Sequence, residues 1–192
     1  MPLGVPNEVP VPERARALSI AVLSFGLVAC GGEEEIAKTF DPVAFHPDDE
    51  CHVCGMIIEE YPGPKGQAVT DKQARKFCSV AEMFGWYLQP ENQHQNFTLY
   101  VHDMQHGSWD EPSDEHLIDA RQAYFVVAST LQGAMGAALA SFADEHAAQQ
   151  FAAEQGGQVL RFADIDQALL QSAAGTMHGM SHGMSHGMQQ HH

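Results

Sequence analysis

The order of apolar and polar positions in the first half of the chain predicts two strands, a helix and a third strand. Ser79-Val80-Ala81-Glu82 has the pattern of a capping box, in which the Ser oxygen and the Glu carboxylate satisfy first-turn amides. The apolar helix that begins there runs through Leu88 and is stopped by Pro90. Short apolar or alternating runs indicate the strands, at residues 67–70, 76–77 and 97–101.

The second half repeats this order. Ser141-Phe142-Ala143-Asp144 is predicted to cap a helix that runs through Glu154 and ends at Gly156-Gly157. The pattern predicts strands at residues 123–128, 137–140 and 159–162 and a short closing helix at 163–171. The sequence therefore predicts an α+β fold of two small β-β-α-β lobes in tandem, at residues 48–110 and 111–171.

The beginning of the chain has the features of an export signal. Arg14 and Arg16 precede an apolar run at residues 17–29, which ends in Leu27-Val28-Ala29-Cys30. This run is shorter than the roughly 20 residues that cross a bilayer. We predict a lipoprotein signal peptide at 1–29 and lipidation of Cys30, which would anchor the protein to a bacterial membrane facing the periplasm. The absence of Asp after Cys30 favours the outer membrane, and the alternative is a short buried helix followed by an ordinary cysteine.

Two flanking segments lack the periodicity of packed elements. Residues 30–47 are acidic, contain two prolines and are predicted to form a disordered tether. Residues 172–192 repeat His, Gly and Met and are predicted to form a disordered tail, which is either a secondary metal-binding segment or a tolerated low-complexity extension. The candidate ligands in the tail are Met177, His178, Met180, His182, Met184, His186 and Met188.

Charge and composition narrow the classes of ligand. The chain has nine Lys+Arg against 25 Asp+Glu, a formal charge of −16. Nucleic acid is therefore excluded as a partner, because phosphate binding needs a clustered basic surface. The unusual counts are 12 His, nine Met and four Cys, and these are residue types that bind metals.

The densest group of such residues is Cys51-His52-Val53-Cys54-Gly55-Met56. Two thiols and one thioether form a soft ligand set, which favours Cu(I) over harder ions. Gly55 permits a sharp turn, so that Cys54 and Met56 can face one point. Three other interpretations stay open: a Cys51–Cys54 disulfide, half of a zinc knuckle and a redox Cys-x-x-Cys motif.

Other candidates have simpler interpretations. Cys78 lies at a strand–helix junction, where a lone cysteine is usually a buried small hydrophobe. The group His102, Asp103, Met104 and His106 is interpreted first as a polar loop after a strand, and second as a copper or partner contact. Met83 and its neighbouring aromatic residues follow helical spacing and are predicted to lie in the core.

Taken together, these motifs resemble the NosL family of copper chaperone lipoproteins. The matching pieces run in order across roughly residues 50–165. The first matching piece is the segment Leu27-Val28-Ala29-Cys30, before this range. The others are the motif Cys51–Met56, Phe77-Cys78-Ser79 with Met83-Phe84, Tyr100-Val101 with Asp103, Ile118-Asp119-Ala120 with Tyr124, Gly133-Ala134-Met135-Gly136, and Gly157 with Val159 and Phe162.

The resemblance implies a fold of two β-β-α-β lobes, related to a domain of organomercury lyase, and a periplasm-facing carrier of Cu(I) that is not an enzyme. Its implied partners are an ABC-transporter assembly and a periplasmic protein that matures the copper centres of nitrous oxide reductase. The implied copper ligands are Cys54 as the thiolate anchor, Met56 and Met135. The role of Cys51 stays open among three alternatives: a copper ligand, a resolving thiol, or a group that contacts the ligands without binding copper. The Met135 turn lacks the proline expected in this family, so it is less rigid.

Two rival functions remain at this point. One is a thiol-active enzyme, for disulfide exchange or cleavage of a carbon–metal bond, which would use Cys51 and Cys54 with Asp103 or Asp119 as the acid. The other is a structural lipoprotein with a closed Cys51–Cys54 bridge.

Overall fold

The first of two antiparallel sheets lies in the N-terminal half. The computed structural model describes residues 38–134 and 136–181. The sheet has the strand order β2-β1-β3-β4. Its strands are β1 (Gly66–Val69), β2 (Ala74–Phe77), β3 (Thr98–His102) and β4 (Leu117–Asp119), with helices α1 (Val80–Tyr87) and α2 (Pro90–Gln93) between β2 and β3.

The second sheet has three strands in the order β6-β5-β7. Its elements are β5 (Tyr124–Gly133), β6 (Gly136–Phe142), α3 (Glu145–Gln155) and β7 (Gln158–Arg161), followed by α4 (Gln167–Ser181). Each half thus contains a β-β-α-β unit whose three strands are neighbours in one sheet. The predicted fold class is confirmed.

Two boundaries differ from those expected. β4 lies in the range 111–171 assigned to the second lobe, yet it pairs with β3 through Tyr100 and Asp119, so the first sheet extends past residue 110. The N-cap of α3 is Asp144, whose carboxylate accepts from Ala147 N at 2.9 Å. Ser141, predicted to begin this cap, is a buried β6 residue whose hydroxyl donates to His102 O.

The two units share one hydrophobic core. The fully buried rings of Phe84 in α1 and Phe125 in β5 meet edge to face, with centroids 5.2 Å apart. Phe162, which follows β7, packs against Phe84 at the same centroid distance of 5.2 Å. A second cluster of buried apolar residues lies between α3 and the second sheet and includes Val126, Ala140 and Ala148. The lobes predicted from the sequence therefore fold against each other.

The last part of the predicted tether is bound to the first sheet. The side chain of Gln67, fully buried in β1, accepts from Val43 N at 2.9 Å and donates to Val43 O at 2.8 Å. The Tyr100 hydroxyl donates to Phe40 O, and Phe45 N donates to Asp114 Oδ2. Residues 38–47 have no strand or helix, but side chains of the sheet and of Asp114 bond to several of their backbone groups, so this part departs from the predicted tether.

The C-terminal helix is longer than expected. α4 continues to Ser181, beyond residue 172 where the sequence predicted that order is lost. Leu169 and Leu170 pack against the shared core, which anchors the helix. No helix of the described residues is long and apolar enough to span a bilayer. The signal peptide, Cys30, the tether at 30–37, Met135 and residues 182–192 lie outside the described residues.

Gly157, in the turn between α3 and β7, allows this turn to pack closely against β5. A Cβ added there would lie 2.7 Å from Val127 O and 2.9 Å from Val126 Cγ1. We expect Gly157→Ala to lower the free energy of unfolding by about 1–3 kcal/mol, the usual range for overpacking. The matched control is Gly85→Ala in α1, where the new methyl group meets nothing within 4 Å. The control should be neutral or should raise the free energy of unfolding by up to about 1 kcal/mol. Urea unfolding measures both variants, and equal stability of the two would contradict this account.

Candidate metal centre

The motif Cys51–Met56 folds into a closed turn. Cys51 N donates to Met56 O at 2.8 Å, and Gly55 N donates to Cys51 O at 2.8 Å. Gly55 has φ = 72°, a conformation that glycine adopts without steric cost. A bridge between Glu50 and Ile57 closes the base of the turn. The predicted role of Gly55 in turning the chain is confirmed.

This turn lies against the free edge of the first sheet. β2 is the edge strand, and His52 N donates to its Lys76 O at 2.8 Å. Cys78 follows the last residue of β2, and Ser79 then caps α1 by accepting from Glu82 N at 3.1 Å. The contact between turn and strand therefore brings Cys78 to the two cysteines of the motif.

Three thiols meet at this junction. The sulfurs of Cys51, Cys54 and Cys78 all lie within 4.8 Å of one another, and Cys54 Sγ is 3.7 Å from Cys78 Sγ. Cys51 is 2% exposed and Cys78 is 0% exposed, whereas Cys54 is half-buried. All three are free thiols, so the structure contains neither the Cys51–Cys54 bridge nor any other disulfide among its described cysteines.

The hydrogen bonds of the cluster favour negative charge on Cys51. A bond from the Cys78 thiol lowers the pKa of Cys51, burial opposes this, and backbone N–H groups of Cys54, Cys78 and Val53 lower it further. The same thiol–thiol bond, together with burial, raises the pKa of Cys78. Burial and the charge on Cys51 also raise the pKa of Glu82. These interactions favour the charged form of Cys51 over that of Cys78.

The aromatic side chains of Phe77 and Trp86 lie beside the turn. The His52 ring packs edge-on against Trp86 and Phe77, with centroids 5.7 and 6.0 Å away. The Arg75 guanidinium lies 5.3 Å from the centroid of the Trp86 ring. Burial and the positive charge of Arg75 lower the pKa of His52. The two ring contacts hold the imidazole of His52 against Phe77 and Trp86.

The predicted copper ligands differ in where the structure places them. Cys51 and Cys54 come together, and Met56 is half-buried against the same core. Met135, which would add a sulfur from the second unit, lies outside the described residues. Cys78 is buried as expected, but it is also the third member of the thiol cluster, which its local sequence did not indicate. A possible signal was the edge position of β2, since an unpaired edge is available to a neighbouring segment.

The second candidate cluster is structural. His102 Nδ1 accepts from Lys65 N at 3.0 Å, and His102 Nε2 pairs with Asp114 Oδ1 at 2.8 Å. Asp103 accepts from Gln105 N, and Met104 packs on the second apolar cluster. His102 is the buried last residue of β3 and Asp103 is also buried, so the expectation of a polar loop is wrong for His102. These groups bond to the backbone or pack on the core.

The buried His102 should make stability depend on pH. Burial lowers its pKa, and the Asp114 carboxylate offsets part of this effect. The unfolded chain therefore binds this proton more readily, so stability is full above the ordinary pKa of about 6.5 and is lost as the pH falls below it. Protonation would also put a proton on Nδ1, which faces the Lys65 amide.

Urea unfolding between pH 7.5 and 5 measures this effect. His102→Gln removes the titration and should flatten the dependence, whereas His94→Gln, at an exposed position, should leave it unchanged. A His102→Gln variant with the wild-type pH dependence would show that other groups are responsible.

Comparison with known proteins gives a consistent set of matches. The sequence model of the NosL family matches residues 42–170. Copper-binding lipoprotein NosL of Stutzerimonas stutzeri is 58% identical over 165 residues, covering 86% of this chain and 87% of the relative. Copper-binding lipoprotein NosL of Achromobacter cycloclastes is 33% identical over 168 residues, covering 85% and 86%. The crystal structure of the copper chaperone NosL from Shewanella denitrificans has a TM-score of 0.64 and 43% identity, covering 67% of this chain and 97% of that one.

Proposed function

The chain belongs to the NosL family, and on this premise we propose that it binds copper as Cu(I) at its thiol cluster and delivers it to another protein. The observation that carries the proposal is the convergence of three thiol sulfurs within 4.8 Å. Thiolate and thioether sulfur are the ligands that Cu(I) prefers. A structural zinc site uses four protein ligands, and the cluster among the described residues has three members.

We propose Cys51, Cys54 and Cys78 as the thiol ligands. Cys51 is the anchoring thiolate because its sulfur already accepts several hydrogen bonds, which differs from the assignment of the anchor to Cys54 on resemblance. Met56 and Met135 are the candidate thioethers. Binding at Cys78 displaces a proton, because a metal-bound thiol is deprotonated. Copper loading should therefore release protons and weaken at low pH.

The exposure of the site suits transfer of the ion. Cys54 is half-buried while the other two thiols are enclosed, and the adjacent Val53 is 51% exposed. A partner's thiol or thioether can approach copper from the side of Cys54 while Cys51 still holds it. Exchange of one ligand at a time permits tight binding together with release.

The wider role follows from the family and from the sequence. We propose that Cys30 is lipidated, that the protein is anchored facing the periplasm, with the outer membrane favoured, and that the tail is a secondary copper-binding segment. The cargo would pass to an ABC-transporter assembly and a periplasmic partner that mature the copper centres of nitrous oxide reductase. This role is binding and delivery, not catalysis.

The alternative of a thiol-active enzyme has less support. Cleavage of a carbon–metal bond needs an acid, and the sequence offered Asp103 and Asp119. Asp103 accepts from the backbone of Gln105, and Asp119 accepts from the backbone of Arg121. These carboxylates stabilise loops, whereas the three thiols form a complete soft ligand set.

A complementation experiment tests the delivery role. A nitrous oxide-reducing bacterium without its own NosL-family protein should regain copper-loaded reductase when it receives this chain. The double variant Cys51→Ser, Cys54→Ser should not restore the copper content, and Cys30→Ala should move the protein out of the membrane fraction. Equal copper content of the reductase with the wild type and the double-serine variant would refute the proposal.

A further inference from the structure

We propose that Cys54 and Cys78 form a reversible disulfide by reaction with an organic disulfide, and that this bridge and bound copper exclude each other. The bridge itself depends only on the geometry of the thiols, while its effect on copper rests on the proposed function. Neither the Cys51–Cys54 pair that the sequence left open as an alternative nor any other bridge is closed among the described cysteines.

The three thiols differ in access to an oxidant. Cys51 is 2% exposed and Cys78 is 0% exposed, so an organic disulfide cannot reach either directly. Cys54 lies in the exposed turn between Val53 and Gly55 and is only half-buried. The first reaction with an external disulfide therefore occurs at Cys54.

The second step depends on which thiol attacks the mixed disulfide at Cys54. Cys78 Sγ is 3.7 Å from Cys54 Sγ, and a disulfide requires about 2.05 Å, so a small side-chain rotation brings them together. Cys51 is held differently, because its backbone N–H and C=O bond to Met56 O and Gly55 N inside the turn. Joining Cys54 to Cys78 fastens the turn to the end of β2 and leaves these two backbone hydrogen bonds in place.

The reaction balances without any other reagent. The Cys54 thiolate attacks one sulfur of the organic disulfide, which forms a mixed disulfide at Cys54 and releases one small thiolate. Cys78 passes its thiol proton to the Cys51 sulfur, to which it is hydrogen-bonded, and then attacks the Cys54 sulfur, forms the protein disulfide and releases the second small thiolate. Two protein thiols are oxidised, one organic disulfide is reduced to two thiols, and the two protein protons pass to the released thiolates.

The bridge removes two of the three thiol ligands from the centre and leaves Cys51. An exported protein meets disulfide oxidants, so an unloaded carrier would be closed to copper until it is reduced. Bound copper in turn occupies Cys54 and Cys78 and shields them. The three sulfurs therefore have three distinct states in the carrier: copper-bound, disulfide-bridged, and reduced and able to bind copper.

Tryptic mapping of the full-length protein tests this inference. Cleavage at Lys38, Lys65, Lys76 and Arg121 places Cys51 and Cys54 together in fragment 39–65 and Cys78 in fragment 77–121. After anaerobic treatment of the apo protein with oxidised glutathione, we expect the two fragments to be disulfide-linked, with Cys51 alkylated. Prior loading with Cu(I) at ten times its dissociation constant should slow linkage about tenfold.

Variants assign the bridge and separate the two proposals. Cys51→Ser should still link the fragments, while Cys78→Ser should leave glutathione attached to Cys54. A bridge confined to fragment 39–65, or a link that uses Cys51, would overturn the inference. Copper uptake is measured on the same samples. A protein that binds copper but forms no Cys54–Cys78 bridge contradicts only the inference, and one that forms the bridge but takes up no copper contradicts only the proposed function.

Discussion

Replacing Cys51 with serine is expected to weaken Cu(I) binding on the order of 100-fold, or about 2.8 kcal/mol. The reason is that hydrogen bonds to the Cys51 sulfur lower its pKa and so favour its thiolate form. A serine hydroxyl is a hard, neutral donor that does not replace a thiolate for Cu(I). Cys78→Ser should cause a loss of similar size, which distinguishes a ligand from the buried hydrophobe that the sequence suggested.

Competition against a Cu(I) chelator under anaerobic conditions measures these affinities. The matched control is Cys30→Ser, which changes the cysteine predicted to carry the lipid and should leave the affinity unchanged. Because Cys78 is fully buried, unfolding in urea must show that each variant is folded. If folded Cys51→Ser and Cys78→Ser proteins bind Cu(I) as tightly as the wild type, the three-thiol site is wrong.

Truncating Phe84 to alanine should lower the free energy of unfolding by about 3–5 kcal/mol. Its ring is fully buried and contacts Phe125 and Phe162 at centroid distances of 5.2 Å. The cavity would open at the boundary between the two β-β-α-β units. Since the units share this core, both should lose stability together in one transition.

Unfolding followed by tryptophan fluorescence and by circular dichroism tests this prediction. With Trp109, which packs on the second apolar cluster, replaced by phenylalanine in both proteins, Trp86 reports on the first unit. Circular dichroism reports on both sheets, and the two curves should coincide for the protein with and without Phe84→Ala. Val43→Ala, at a side chain that is 41% exposed, is the control and should change stability by less than about 0.5 kcal/mol. Separate transitions for the two probes would indicate independent lobes.

The elements with strong local signals were predictable from the sequence. The cap at Ser79, the helix after it and the two β-β-α-β units follow from periodicity and capping chemistry. Ser141 was misassigned because its polar side chain suits a helix cap, yet in the fold it is buried in β6 and bonds to His102 O. A local pattern does not distinguish a polar group at a helix end from one satisfied by a distant backbone atom.

The features that were missed depend on contacts distant in sequence. Cys78 joins the cluster because His52 N bonds to Lys76 O at the edge of β2, a pairing without a sequence pattern. Residues 38–47 lack alternation, and they are ordered by the side chain of Gln67 acting as a backbone partner. The sequence supplied two of the three thiols, and tertiary structure supplied the third.

X-ray absorption at the copper edge of the protein, loaded anaerobically with one equivalent of Cu(I) and truncated after Ser181, tests the central claim most directly. The truncation removes the residues that follow α4, including most of the candidate tail ligands, and leaves the thiol cluster intact. The account predicts a first shell with at least two sulfur ligands, which is lost in the Cys51→Ser, Cys54→Ser double variant. A shell made only of nitrogen and oxygen would contradict it.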